Sequence, residues 1–278
     1  MKLVRYGAPG RERPGLVDEQ GELRDLSAHV ADIDAAALSP SGLDNLRRID
    51  PRGLPVVEAG ARIAIPVSGI GNVLGIGLNY RSHAAEAGMP VPDEPIVFSK
   101  HTSALSGPYD PIRLPPGSAK TDWEVELAVI IGRTTRHVTE SEALECVAGF
   151  AVCNDVSERS YQLDRGGQWI KGKSYDGFFP LGPWLITADE VPDPQALHLW
   201  LDVNGERMQD GTTADMIFSV AEIVSYLSRF MTLLPGDVIA TGTPPGVGLG
   251  RGVFLKDGDV VRLGIDGLGE QREVVVEG

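Results

Sequence analysis

The run Thr121-Asp122-Trp123-Glu124-Val125-Glu126-Leu127-Ala128-Val129-Ile130-Ile131-Gly132 constrains the fold more than any other part of the chain. Apolar and β-branched residues continue to a glycine stop, which is the pattern of a strand. Residues i and i+2 of a strand share a face, so Glu124 and Glu126 are expected side by side, with Val125 and Leu127 packed behind them. Two carboxylates so placed repel each other unless a cation sits between them. Oxygen ligands on a rigid element suit a hard cation such as Mg²⁺, Mn²⁺ or Ca²⁺. A half-buried strand showing two glutamates to water has the same local pattern.

Further along, Phe150 to Val156 reads as a second strand, and it delivers Asp155. Two glutamates and one aspartate match a hard divalent ion that keeps open coordination positions. Taken alone, Asp155 is equally a turn or helix cap, because Ser157-Glu158-Arg159 can begin a helix. Arg159, Gln162 and Arg165 follow, then Lys173 between Gly172 and Ser174. Cations this close to three acids either balance them or bind an anionic substrate, and a solvated basic loop is the alternative.

Upstream, the apolar strand Val73 to Leu78 ends at Asn79-Tyr80-Arg81-Ser82-His83-Ala84-Ala85-Glu86. The Gly75-x-Gly77 pair has no third glycine and no βαβ unit after it, so a dinucleotide site is rejected. A short helical turn is expected to begin near Ser82 as N-cap. His83 and Glu86 then share a face, and the carboxylate can hold the imidazole in one tautomer, as a general base needs. A surface His–Glu pair looks the same in sequence. The proline-rich segment after it, to Pro95, is expected to be a lid.

Helices are expected over Thr139–Val147, with a Thr139/Glu142 capping box, and over Met216–Thr232, whose apolar residues recur at helical spacing. Asn204-Gly205 signals a hairpin. Thr241 to Gly248 lacks the Gly-Lys-Ser/Thr end of a phosphate loop, although its N–H groups and the Thr243 hydroxyl can bind a carboxylate. Residues 1–66 read as a small N-terminal unit without chemistry, ahead of a large domain over 67–278. His29 in that unit stands alone and reads as a surface or capping residue.

The net charge of −14 argues against nucleic acid and against anionic membrane surfaces. Cys146 and Cys153 make neither a disulfide framework nor a zinc site. No apolar run is long enough to span a membrane and the N-terminus has no signal-peptide core, so a cytoplasmic protein is expected.

Taken together, Gly77-Leu78-Asn79-Tyr80 with Ser82-His83-Ala84-Ala85-Glu86, Asp122-Trp123-Glu124-Val125-Glu126-Leu127, Asn154-Asp155-Val156-Ser157, Gly172-Lys173-Ser174 and Thr241-Gly242-Thr243-Pro244 resemble the fumarylacetoacetate hydrolase family over about residues 70–275. The resemblance implies a strand-rich α+β fold: a mixed β-sandwich roll with flanking helices behind a small N-terminal α/β domain, assembled as a homodimer. It implies Glu124, Glu126 and Asp155 as Mg²⁺ ligands and His83 and Glu86 as a water-activating dyad. Lys173 is then an enolate-stabilising residue, Arg159 and Gln162 are substrate contacts, and Thr243 is a carboxylate anchor. The implied reaction hydrolyses the C3–C4 bond of a 2,4-diketo acid to pyruvate and a carboxylic acid. Where the founding enzyme has a further acidic metal ligand, this chain has Asn79 and Tyr80, which places it in the smaller bacterial branch. The insert Arg165 to Trp169, with Tyr175-Asp176-Gly177, is similar to members acting on 2,4-diketo-3-deoxy sugar acids, those of L-rhamnonate and L-fuconate. Oxaloacetate decarboxylation, isomerisation of 2-hydroxyhepta-2,4-diene-1,7-dioate and a non-catalytic ligand-binding role are the alternatives.

Overall fold

Side chains, not strand partners, receive three backbone N–H groups near the start of the 121–132 run. Trp123 donates to Asp122 Oδ1 at 2.8 Å, Glu124 to Asn154 Oδ1 at 3.1 Å and Val125 to Gln209 Oε1 at 2.9 Å. The ladder is interrupted there, and the expected single strand is two, Thr121–Asp122 and Val125–Ile131. Glu124 therefore lies in the break and not on the strand face beside Glu126.

The computed structural model describes residues 1–278. Its principal strands are β1 (Lys2–Tyr6), β2 (Arg13–Val17), β3 (Leu23–Asp25), β4 (Val73–Gly77), β5 (Ile96–Lys100), β6 (Val125–Ile131), β7 (Val147–Asn154), β8 (Phe179–Thr187), β9 (His198–Val203), β10 (Glu206–Thr212), β11 (Val238–Ala240), β12 (Val260–Ile265) and β13 (Gly269–Glu277). The larger sheet runs β3-β2-β1-β8-β7-β6-β11-β4-β5, and the smaller runs β10-β9-β12-β13 and ends on Ile112–Leu114. The fold is a strand-rich α+β arrangement, as expected. Gln271 of β13 joins the two sheets, donating to Val152 O at 2.8 Å and Gly182 O at 3.0 Å.

At the centre, β6 pairs antiparallel with β7, Val125 opposite Asn154 and Glu126 opposite Cys153. Every residue of β6 is buried, and each large aliphatic side chain so buried contributes roughly 1.5–3 kcal/mol. This rigidity is what lets one end of the strand hold carboxylates in place. Residues 1–66 contribute strands to the same sheet, with Lys2 of β1 opposite Ile186 of β8.

Four helices matter below: α1 (Arg81–Glu86), α2 (Arg159–Leu163), α3 (Ile170–Lys173) and α4 (Val220–Phe230). Two helices expected from sequence are shorter than their apolar pattern. Ser219 and Glu222 form a capping box that starts α4 four residues after Met216, which instead bridges to Tyr80. The Thr139/Glu142 capping box forms as expected, but its helix ends at Ala143, a 3₁₀ turn follows, and Val147 already belongs to β7. Tyr80, not Ser82, is the N-cap of α1; Ser82 N–H instead donates to Asp215 at 3.0 Å. The Asn204-Gly205 turn joins β9 to β10. No helix is long and apolar enough to cross a membrane.

Candidate active site

The end of β4, Phe98 of β5, the start of β6 and the short helices α1, α2 and α3 surround one cavity of about 370 Å³. Its lining includes His83, Glu86, Glu124, Glu126, Arg159, Gln162, Lys173 and Thr243. Asp155 lies beneath it, fully buried, just past the end of β7. Glu124, Glu126 and Asp155 each offer a carboxylate oxygen, and these atoms lie within 4.8 Å of one another.

The cluster is braced by cations. Lys173 Nζ donates to Glu124 Oε2 at 2.7 Å and to Asp155 Oδ2 at 2.6 Å. Arg159 Nη2 donates to Glu124 Oε1 at 2.6 Å, its Nε to Asp122 Oδ2 at 2.8 Å and its Nη1 to Gln162 Oε1 at 2.9 Å. Burial pushes the Glu124 carboxyl up, but Lys173 and Arg159 outweigh it and hold the group well below the usual range. Burial likewise favours loss of the Lys173 proton, and Asp155 and Glu124 reverse that, so the ammonium stays charged.

Glu126 has the opposite environment. Its carboxylate takes one protein hydrogen bond, from Gly242 N at 2.7 Å. Burial, then Asp155 and Glu124, push it well above the usual range. Four buried carboxylates, Asp122, Glu124, Glu126 and Asp155, meet three buried cations, Lys100, Arg159 and Lys173. The donor set is all oxygen and carries excess negative charge, so the residues present fit a hard divalent cation.

In the same lining, His83 Nδ1 lies 3.1 Å from Glu86 Oε2. Gly246 N–H donates to Glu86 Oε1 at 3.0 Å, tying the dyad to the 241–248 loop. The pair is thus assembled in this structure. Thr243 has its hydroxyl committed, donating to Val125 O at 2.8 Å and accepting from Gln209 Nε2 at 2.8 Å. It closes the cavity floor but has no hydroxyl proton to spare. Gln162 accepts from Arg159 through Oε1, which leaves its amide nitrogen to donate into the cavity.

Two residues that the sequence reading passed over belong here. Lys100, the last residue of β5, bonds Asp155 Oδ1 and donates to Val156 O at 3.1 Å. A lysine closing a strand that opens Ile96-Val97-Phe98 was the available signal. Asp122 accepts from Gly248 N at 2.6 Å and Leu249 N at 2.9 Å while holding Arg159. It links the carboxylate-bearing segment to the loop that holds the dyad.

Comparison with known proteins agrees with this picture. Residues 72–276 match the family described as fumarylacetoacetate hydrolase, C-terminal. A protein of Burkholderia ambifaria, named no further than a hydrolase, is 61% identical over 274 residues, spanning 98% of this chain and 97% of that one. The maleylpyruvate hydrolase from Sphingobium sp. SYK-6, solved with manganese(II) and pyruvate, is 33% identical with a TM-score of 0.84 over 100% of both chains. The 2-hydroxyhepta-2,4-diene-1,7-dioate isomerase from Mycobacterium marinum is 32% identical with a TM-score of 0.76, over 100% of this chain and 98% of that one.

Proposed function

The chain belongs to the fumarylacetoacetate hydrolase family, and from that premise we propose that it hydrolyses the C3–C4 bond of a 2,4-diketo acid, with Mg²⁺ foremost and Mn²⁺ or Ca²⁺ as substitutes, to pyruvate and a carboxylic acid. The observation that carries this reading is the meeting of a three-carboxylate cluster and a His–Glu dyad in one cavity. Pyruvate release from 2,4-diketo acids, measured with and without EDTA, tests it.

Arg159 and the amide of Gln162 bind the substrate carboxylate, one from each end of the first turns of α2. Glu124, Glu126 and Asp155 would hold the divalent cation, which would supply Lewis-acid polarisation of the 2-oxo group. With Nδ1–H directed at Glu86, His83 presents Nε2 as the base that takes a proton from water. The water oxygen bonds to C4, and the C3–C4 bond breaks. Its electron pair passes to C3 as the enolate of pyruvate, beside the Lys173 ammonium. The proton taken up by His83 Nε2 is returned to C3, which completes pyruvate, and C4 leaves as the carboxylic acid.

The isomerase relative supports a second reading, since double-bond migration in a 2-hydroxydienoic acid needs the same enolate and a proton shuttle but no water. Turnover of a dienoic acid without pyruvate release selects it, and pyruvate release from oxaloacetate selects decarboxylation. The tail beyond C4 is where sequence and site diverge: the 165–177 insert resembles sugar-acid hydrolases, yet its Trp169 turns an indole toward the cavity. The expected homodimer remains part of the proposal, and sedimentation of the purified chain checks it.

A further inference from the structure

Away from the carboxylates and the dyad, the cavity wall changes character. It is built from Met89, Phe98, Leu163, Trp169, Val247 and Leu249. Phe98 and Trp169 pack with ring centroids 5.5 Å apart, tilted at 56°. Both lie directly on the bare backbone of β4. A Cβ at Gly77 would stand 2.5 Å from Trp169 Cζ3, and one at Gly75 would collide with the Phe98 ring. The Gly75-x-Gly77 pair therefore makes room for an aromatic shelf. At the rim, Met89, Leu163 and Leu249 are 49%, 45% and 44% exposed, large apolar side chains left open to solvent around the entrance.

Charge is confined to the head of the site. Arg159 and Lys173 are the only Arg or Lys side chains lining the cavity, and both are engaged with Asp122, Glu124 and Asp155. Basic residues close by in sequence serve other partners. Arg165 stacks on the Tyr161 ring at 4.4 Å, Lys171 Nζ donates to Arg165 O at 2.8 Å, and Arg251 donates to Met208 O at 3.0 Å. A second carboxylate on the tail would be stripped of water against this wall with no partner. Several hydroxyls would find too few donors and acceptors to replace their hydration.

We propose that the site selects 2,4-diketo acids whose acyl tail is apolar, alkyl or aryl, and disfavours tails bearing a second carboxylate or several hydroxyls, with Trp169 and Leu163 setting the preference. The inference takes the substrate's head from the diketo-acid reading above and departs from the sugar-acid tail expected of the insert. The aromatic shelf stacks on the tail, and the rim side chains close over it.

The test is calorimetric binding to the full chain with Mg²⁺, using three uncleavable 2-oxo acids with one head: pyruvate, 2-oxo-4-phenylbutanoate and 2-oxoglutarate. The phenyl tail should bind about tenfold tighter than the carboxylate tail. Trp169→Ala should collapse that ratio; it keeps the carbonyl that accepts from Gly172 and Lys173 at the start of α3. Leu163→Arg, at an exposed position, should move the ratio toward 2-oxoglutarate. Equal or tighter binding of 2-oxoglutarate by the wild type, or a ratio unmoved in both variants, overturns the proposal. Binding of pyruvate without a tail preference defeats this inference alone, whereas no binding of any of the three defeats the diketo-acid reading with it. A retained preference alongside failure to cleave benzoylpyruvate upholds the tail selection and defeats only the hydrolase assignment.

Discussion

Glu86 Oε2 lies 3.1 Å from His83 Nδ1, and the other oxygen of the same carboxylate accepts from Gly246 N, 160 residues further along the chain. The dyad is therefore held by the fold and not by its own helix, which spans only Arg81–Glu86.

That arrangement separates hydrolysis from decarboxylation. His83→Ala should lose roughly 10²–10⁴-fold in diketo-acid hydrolysis, the usual worth of a positioned base. Any oxaloacetate decarboxylation should fall much less, because the carboxylates and Lys173 are untouched. Rates for both reactions on wild type and variant decide it; an equal drop assigns the dyad to closure or substrate binding. Faster decarboxylation than hydrolysis by the wild type would hand the assignment to the decarboxylase.

The excess negative charge around Glu126 predicts a crossing of stabilities. Without metal, wild type must either bury the Glu126 charge beside Asp155 and Glu124 or hold a proton that the unfolded chain has lost; Glu126→Gln removes that cost, and the variant should melt higher than wild type at neutral pH. With millimolar Mg²⁺ the order should reverse, since the variant has lost a ligand. Each kcal/mol appears as about 2–4 °C for a chain of this size class. Thermal melts in EDTA and in Mg²⁺ measure it, and parallel shifts of the two proteins would remove Glu126 from the metal site. EDTA should also abolish turnover, with Mg²⁺ or Mn²⁺ restoring it.

Glu273 of β13 predicts a pH dependence of stability. Neither carboxyl oxygen has a hydrogen-bond partner, and the side chain is fully buried. Burial pushes its pKa well above the ordinary 4.5; the Asn154 side chain nearby pulls the other way, but its amide nitrogen is itself unpaired and does not offset the burial. The folded state therefore holds this proton more tightly than the unfolded chain. Its stabilising contribution is full below the unfolded pKa and is lost as pH rises through the folded one. Glu273→Gln should match wild type near about pH 4 and exceed it by roughly 1–3 kcal/mol at higher pH, once wild type must bury either a charge or an upshifted acid. Urea denaturation across that range gives the two curves; parallel curves would refute the assignment.

Ser219 caps α4 by accepting from Glu222 N at 3.2 Å, while Glu222 Oε2 accepts from Ser219 N at 2.7 Å. Ser219→Ala should cost about 1 kcal/mol in chemical denaturation. Turnover should stay unchanged, because α4 packs away from the cavity lining. A loss below the noise would mean water replaces the cap.

Sequence alone determined much of this protein, because some chemistry is written in local spacing. Alternation and glycine stops located the strands, and the capping box at Thr139 was legible because it is a contact between residues three apart; the same signal at Ser219 and Glu222 was there to be read, but the apolar pattern running back to Met216 hid it. Glu124, Glu126 and Asp155 could be named because residue type and order carry the carboxylate count. Only the tertiary structure decided how they meet. Glu124 leaves the strand because the side chains of Asn154, on the paired strand β7, and Gln209, on β10 of the other sheet, take the Glu124 and Val125 N–H groups. Lys100 and Asp122 join the site across separations that no local pattern records. Thr243 spends its hydroxyl on Val125 and Gln209, and Gly77 gives its space to the Trp169 indole. Each of these is a contact between chain segments brought together by burial of the shared core, so its energy depends on distances that exist only once the sheets have packed.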